Sequence, residues 1–78
     1  MPVVVIEEGF RFFFYSNDYT PIHVHVRKGG REAVFNVEHG VGLREAMGFK
    51  PAELRRAEDL ATRHRELIVR KWHEHIGG

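Results

Sequence analysis

Residues 22–27 read Ile22-His23-Val24-His25-Val26-Arg27 and alternate apolar and polar side chains without interruption. A period of two marks a strand with one buried and one open face. Lys28-Gly29-Gly30-Arg31 follows, and a Gly-Gly pair suits the positive φ angles of a tight hairpin turn. Glu32 to Val37 is then the return strand, closed by Glu38-His39-Gly40. Upstream, Phe10-Arg11-Phe12-Phe13-Phe14-Tyr15 follows Gly9 and has strand composition, while Ser16-Asn17-Asp18-Tyr19-Thr20-Pro21 is turn chemistry. Val3 to Ile6 adds to the first strand ahead of a kink at Gly9, which gives three to four strands in an antiparallel meander.

Downstream the period changes. Leu43 to Met47 reads either as a short strand or as a helical turn, ended by Gly48. Pro51 suits the first position of a helix, with Glu53 in its first turn. From there to about His75, Ala57, Leu60, Ala61, His64, Leu67, Ile68, Lys71, Trp72 and His75 fall on one face at 100° per residue. The opposite face carries the pairs Arg55/Asp59, Asp59/Arg63 and Glu66/Arg70 at i,i+4 spacing. A helix over 51–75 would reach about 37 Å at roughly 1.5 Å per residue, so part of it should overhang the sheet, fray, or pack on a partner. The fold class is α+β: three to four antiparallel strands over residues 3–38, with one long C-terminal helix packed on one face.

Strand parity sorts the sheet into two faces. Phe10, Phe12, Phe14, Ile22, Val24, Val26, Ala33, Phe35 and Val37 share one, all apolar, and the helix should cover it. Arg11, Phe13, Tyr15, His23, His25, Arg27, Val34, Asn36 and Glu38 share the other. One helix cannot cover both faces, so the second face should be open, cationic and aromatic. Either it is an ordinary wet sheet face, or Arg11, Phe13, Tyr15, His23, His25 and Arg27 form a binding surface.

Size and composition narrow the function. The chain has 78 residues, 29% charged and 42% hydrophobic, which fits one small globular domain over residues 1–78. It has no cysteine, so a thiol nucleophile, a disulfide and a thiolate metal site are excluded. No segment approaches the roughly 20 apolar residues of a membrane span, and the opening residues lack the basic leader of a secretory signal. A cytoplasmic protein with no membrane partner is expected. The net charge of +1 does not by itself call for nucleic acid. The ending Ile76-Gly77-Gly78 follows a helix, unlike the diglycine tail of small protein modifiers, which follows a strand.

Six histidines are the compositional outlier. His23 and His25 leave one strand face about 6–7 Å apart, close enough to converge on a metal ion or to act as an acid/base pair. A metal site needs a third ligand, and no neighbour in sequence clearly supplies one, so no cofactor is expected and a His23/His25 metal site is the alternative. His64, between Leu60 and Ile68 on the apolar stripe, reads as a core residue bonded to a carbonyl or a strand-end group. His39 falls in a turn, and His73 and His75 at a helix end.

The segment from Tyr15-Ser16-Asn17-Asp18-Tyr19-Thr20-Pro21-Ile22-His23-Val24-His25-Val26-Arg27 to Glu32-Ala33-Val34-Phe35 resembles the short bacterial family called domain of unknown function 4160. That family carries Asn-Asp-His-x-Pro-Pro-His-x-His-Val, a hairpin and a Glu-Ala strand. Its helix pattern, Trp-Ala-x-x-His-Arg-x-x-Leu with a later Trp, is met by Ala61, His64, Arg65, Ile68 and Trp72, with Leu60 where Trp is usual. The resemblance runs over about residues 9 to 73. Tyr19 replaces the family's first histidine and Ile22 its second proline, which weakens a three-histidine metal site here. Members are usually encoded beside a second small protein, of domain of unknown function 2442, in a layout like that of toxin–antitoxin or regulatory pairs. The resemblance thus adds a partner, that neighbouring protein, to the binding module that the open face suggests; RNA and a second copy of the chain are further candidates. A rival from another class is a small ribonuclease-type toxin using His23 and His25 as acid and base or as metal ligands. No helix-turn-helix is visible, since a second helix after a short turn is missing.

Overall fold

The structure, a computed structural model, describes residues 3–76; Met1, Pro2, Gly77 and Gly78, and with them the diglycine ending, lie outside. Five strands come first: β1 (Val3–Glu7), β2 (Phe10–Phe13), β3 (His23–Lys28), β4 (Arg31–Asn36) and β5 (Gly42–Met47). Two helices follow, α1 (Pro51–Arg63) and α2 (Arg65–His75). The strands form one antiparallel sheet in chain order, β1-β2-β3-β4-β5. The α+β class stands; the strand and helix counts need correction.

The fourth strand is separate rather than a kinked extension. Glu8 and Gly9 both take positive φ, 55° and 81°, so they form a two-residue hairpin turn and Glu7 pairs with Phe10. A non-glycine residue is costly in that region, and the Glu8 carboxylate is held by Arg56 of α1. The ambiguous Leu43–Met47 is the fifth strand. It pairs with β4 through an irregularity between Val34 and Phe35, and all six of its residues are exposed. A strand wet on both faces has no alternation to show, which is why the sequence left it open. Gly48 then turns the chain into α1 at φ +90°, and a Cβ there would sit 2.9 Å from Cγ of Arg31.

The helix breaks at His64, whose φ and ψ are −101° and 14°. The hydrogen-bond ladder runs through the break: His64 N–H donates to Leu60 O at 3.0 Å, and Ile68 N–H to His64 O at 2.9 Å. His64 thus divides the expected single helix in two, and the described residues measure 33 Å along their longest axis. Pro51 opens α1 as its first residue, and Glu53 accepts from the Lys50 N–H at 3.1 Å. Of the charged helix face, Arg63 reaches across to Glu7 at 2.9 Å rather than along the helix to Asp59. Among the described residues the three i,i+4 pairs form no ion pair; Arg56 and Arg63 strap α1 to the β1–β2 turn instead. The helix reaches the sheet through these ion pairs as well as through its apolar stripe.

All nine residues of the predicted core face are buried, packed against Ala57, Leu60, Ala61, Ile68 and Trp72. His64 is half-buried rather than central, and its Nε2 lies 2.6 Å from Glu7 Oε1 at the end of β1. Among the described residues no helix is long and apolar enough to cross a membrane.

Candidate functional site

The second sheet face is not uniformly open, and that changes the standing of the expected binding residues. Arg11 and Arg27 are exposed, but Phe13 is fully buried, His23 is buried, and Tyr15 and His25 are half-buried. A face meant to stack bases or grip a partner with Phe13 offers no Phe13 surface. The correction has a local cause. The nine-residue connection between β2 and β3 is long enough to fold back over the strand ends, whereas the two-residue turns at the opposite end are not.

That connection is organised by Asp18. Its N–H donates to Tyr15 O at 3.1 Å, and the Tyr15 N–H donates to Asp18 Oδ2 at 3.0 Å, closing a four-residue turn. The Thr20–Pro21 peptide is cis. With the turn set, the Asp18 carboxylate meets both imidazoles. His25 Nε2 is 3.2 Å from Oδ2 and 3.3 Å from Oδ1, and His23 Nε2 is 3.4 Å from Oδ1. The three side chains are only 6% (His23), 12% (His25) and 10% (Asp18) exposed, so the cluster is nearly dry.

The walls are aromatic. His25 stacks on Phe13 with centroids 5.5 Å apart and meets the edge of Tyr15 at 4.6 Å. His23 lies 5.2 Å from His25 and 5.2 Å from Trp72 of α2. The strand spacing thus brings the two rings somewhat closer than the sequence suggested. His23 also reaches from the second face round the sheet end to the helix layer, because it is the first residue of β3 and has no strand beyond it. Beside the cluster, Ser16 to Thr20, Trp72 and Ile76 border an open groove of about 380 Å³.

The ring nitrogens are nearly all engaged. His23 Nδ1–H donates to Pro21 O at 2.8 Å, which turns Nε2 toward Asp18. His25 Nε2 faces Asp18, and His25 Nδ1 is buried without a partner. Three of the four ring nitrogens of the pair thus face protein oxygens. Asp18 and Trp72 complete a cluster that the sequence showed as Tyr15, His23 and His25 on one face. Asp18 makes the turn that its sequence context predicts, and the same carboxylate also faces the histidines. The third acidic or imidazole group that the sequence could not supply to His23 and His25 is therefore Asp18. The remaining histidines stay apart: His39, His73 and His75 are exposed.

The exposed half of the second face has a different make-up. Cross-strand register aligns Ile6 with Arg11, Arg11 with Arg27, Arg27 with Glu32 and Glu32 with Met47. Residues paired across strands share a face, so these five form one row over all five strands. Ile6 is 60% and Met47 76% exposed at its ends. Arg27 is bound by Glu32 at 2.7 Å and lies 5.7 Å above the Phe13 ring. The Glu32 carboxylate accepting from it raises the Arg27 pKa further above its ordinary value. Arg11 has no ion-pair partner among the described residues, and Ile6, Gly9, Arg11, Arg27 and Gly29 line a shallow groove of about 260 Å³.

No curated protein and no solved structure matches this chain. A family model described as Domain of unknown function (DUF4160) matches it over residues 9–73, from the start of the β2 hairpin to the last turns of α2, and the protein belongs to that family.

Proposed function

We propose that the protein is a non-catalytic binding module, one component of a two-protein toxin–antitoxin-like or regulatory pair, and that it docks a small protein partner on the exposed half of its second sheet face. The observation that carries this reading is Arg11, an exposed cation without an ion-pair partner among the described residues, in a row that ends in exposed Ile6 and Met47. A row over five strands spans roughly 19 Å, given about 4.8 Å between neighbouring strands. That suits a partner segment carrying one acidic side chain between apolar ones: the carboxylate meets Arg11 and the apolar groups cover Ile6 and Met47. RNA fits the row less well, because Phe13 is buried beneath Arg27 and gives bases nothing to stack on.

The test is co-purification with the small protein encoded beside this one. Arg11→Glu and Met47→Ser should each weaken the complex about tenfold or more while the isolated chain keeps its thermal midpoint. Unchanged affinity in both variants would remove this surface from the interface. Tight RNA binding that falls steeply with salt and is lost in Arg11→Glu would replace the protein partner with RNA. Cleavage of RNA by the wild type, abolished in His25→Ala, would establish the ribonuclease reading instead.

A further inference from the structure

We propose that Asp18, His23 and His25 form a binding site for a divalent transition-metal ion of the zinc class, which clamps the β2–β3 connection onto the sheet.

Distances argue first. A direct hydrogen bond between a charged imidazole and a carboxylate is short, about 2.7–2.9 Å. The same molecule shows such a short contact at His64, 2.6 Å from Glu7. At Asp18 the separations are 3.2, 3.3 and 3.4 Å instead, all on the same carboxylate and both Nε2 atoms. Two donors each about 2.0–2.1 Å from a tetrahedral ion lie roughly 3.3–3.4 Å from one another. The Asp18–His25 and Asp18–His23 edges therefore have the length that an ion between them requires. All three donor atoms lie within 4.8 Å of one another.

The outer contacts argue second. Pro21 O accepts from His23 Nδ1, so Nε2 is the nitrogen of that ring turned toward Asp18 Oδ1. Nε2 and Oδ1 are the atoms through which the two side chains would hold an ion. A carbonyl holding the far nitrogen of a ligating imidazole, and a backbone N–H holding a ligating carboxylate, are the usual outer supports of a metal site. Pro21 O and the Tyr15 N–H are placed as those supports. The donor set of two imidazoles and one carboxylate selects zinc, cobalt or nickel over calcium or magnesium, which prefer oxygen throughout. Three protein donors leave a fourth position for water or an added ligand.

The consequence is structural. Asp18 sits on the connection and the histidines on β3, so the ion would fasten one to the other and hold Tyr15 against His25. The clamp is separate from the Arg11 row, and either can fail without the other.

The experiment uses the untagged full chain, stripped with a chelator and titrated with Zn²⁺ alone, with Co²⁺ as a spectroscopic probe. One Zn²⁺ per chain is expected, with Co²⁺ giving the strong visible absorption of a four-coordinate site. In NMR spectra the imidazole signals of His23 and His25 should move and the Tyr15 amide should exchange more slowly. Asp18→Asn keeps the size of the side chain and should lower affinity at least about tenfold, as should His25→Ala. The variant carrying His39→Asn, His73→Asn and His75→Asn removes exposed imidazoles and should bind as the wild type does. Absence of uptake by the folded wild type, undiminished uptake in Asp18→Asn and His25→Ala, or loss of uptake in the triple variant would each overturn the proposal.

Discussion

Two halves of one sheet face, built from the same strands, have opposite fates. On β2, Arg11 and Phe13 are two residues apart and point the same way, yet one is exposed and the other fully buried. On β3, Arg27 and His25 repeat the contrast. Parity cannot explain it, because parity puts all four on one face. The difference lies in what connects the strands at each end. Near Arg11 and Arg27 the turns Glu8-Gly9 and Gly29-Gly30 are two residues long and fold over nothing. Near Phe13 and His25 the connection of residues 14–22 has room to return, and Asp18 anchors it on the imidazoles. Loop length, more than strand composition, decides which half of the face is available to a partner.

The contrast can be broken by substitution, and the largest effect is expected at Phe13. Phe13→Ala should cost about 3–5 kcal/mol in chemical unfolding, as for any fully enclosed ring. Arg11→Ala, two residues away, should stay within about 0.5 kcal/mol. Comparable losses in the two variants would mean that the connection does not cover the face as described.

Asp18 is the next step down. Asp18→Ala removes the acceptor of the Tyr15 N–H and the carboxylate facing His23 and His25, and should cost roughly 1–3 kcal/mol. Hydrogen exchange should quicken at Tyr15 and leave the Glu8-Gly9 end untouched. Quickening at both ends would show the two halves to be coupled.

The smallest effect belongs to the open end. The Arg56 guanidinium holds the Glu8 carboxyl below its ordinary pKa of 4.5. A carboxylate whose folded value is depressed stabilises the fold above its unfolded value and ceases to as pH falls through the folded one. The melting-temperature difference between wild type and Glu8→Gln should therefore be present at neutral pH and vanish in acid. Both side chains of the pair reach solvent, so the difference should be small and shrink with added salt. A difference that grows in acid would contradict the pairing.

Much of the fold was legible. The alternation in Ile22 to Arg27, the Gly29-Gly30 turn and the Pro51 helix start depend on residues adjacent in sequence, and the structure has β3 over His23–Lys28, the turn directly after it and α1 from Pro51. The apolar core face followed from strand parity and is buried as expected. What escaped was of another kind. β5 carries no pattern because neither of its faces is covered, and the break at His64 interrupts the helical angles but not its apolar stripe. Half of the site was visible as His23-Val24-His25, since two residues along a strand fix a shared direction. Asp18 was hidden because an aspartate in a turn looks the same whether its carboxylate ends at the backbone or continues to a ring five or seven residues on.

The sequence alone determined an α+β chain with one wholly apolar sheet face, a long amphipathic helical segment, and a strand that aims two histidines together. Those properties follow from periodicity and local conformational preference, which need no knowledge of distant contacts. Tertiary structure decided that the second face is only half open, that Asp18 and Trp72 close on the histidines, and that the helix is interrupted at His64, which meets Glu7. Each depends on where a connection returns in space or on which carboxylate a cation finds, and neither is encoded in a spacing.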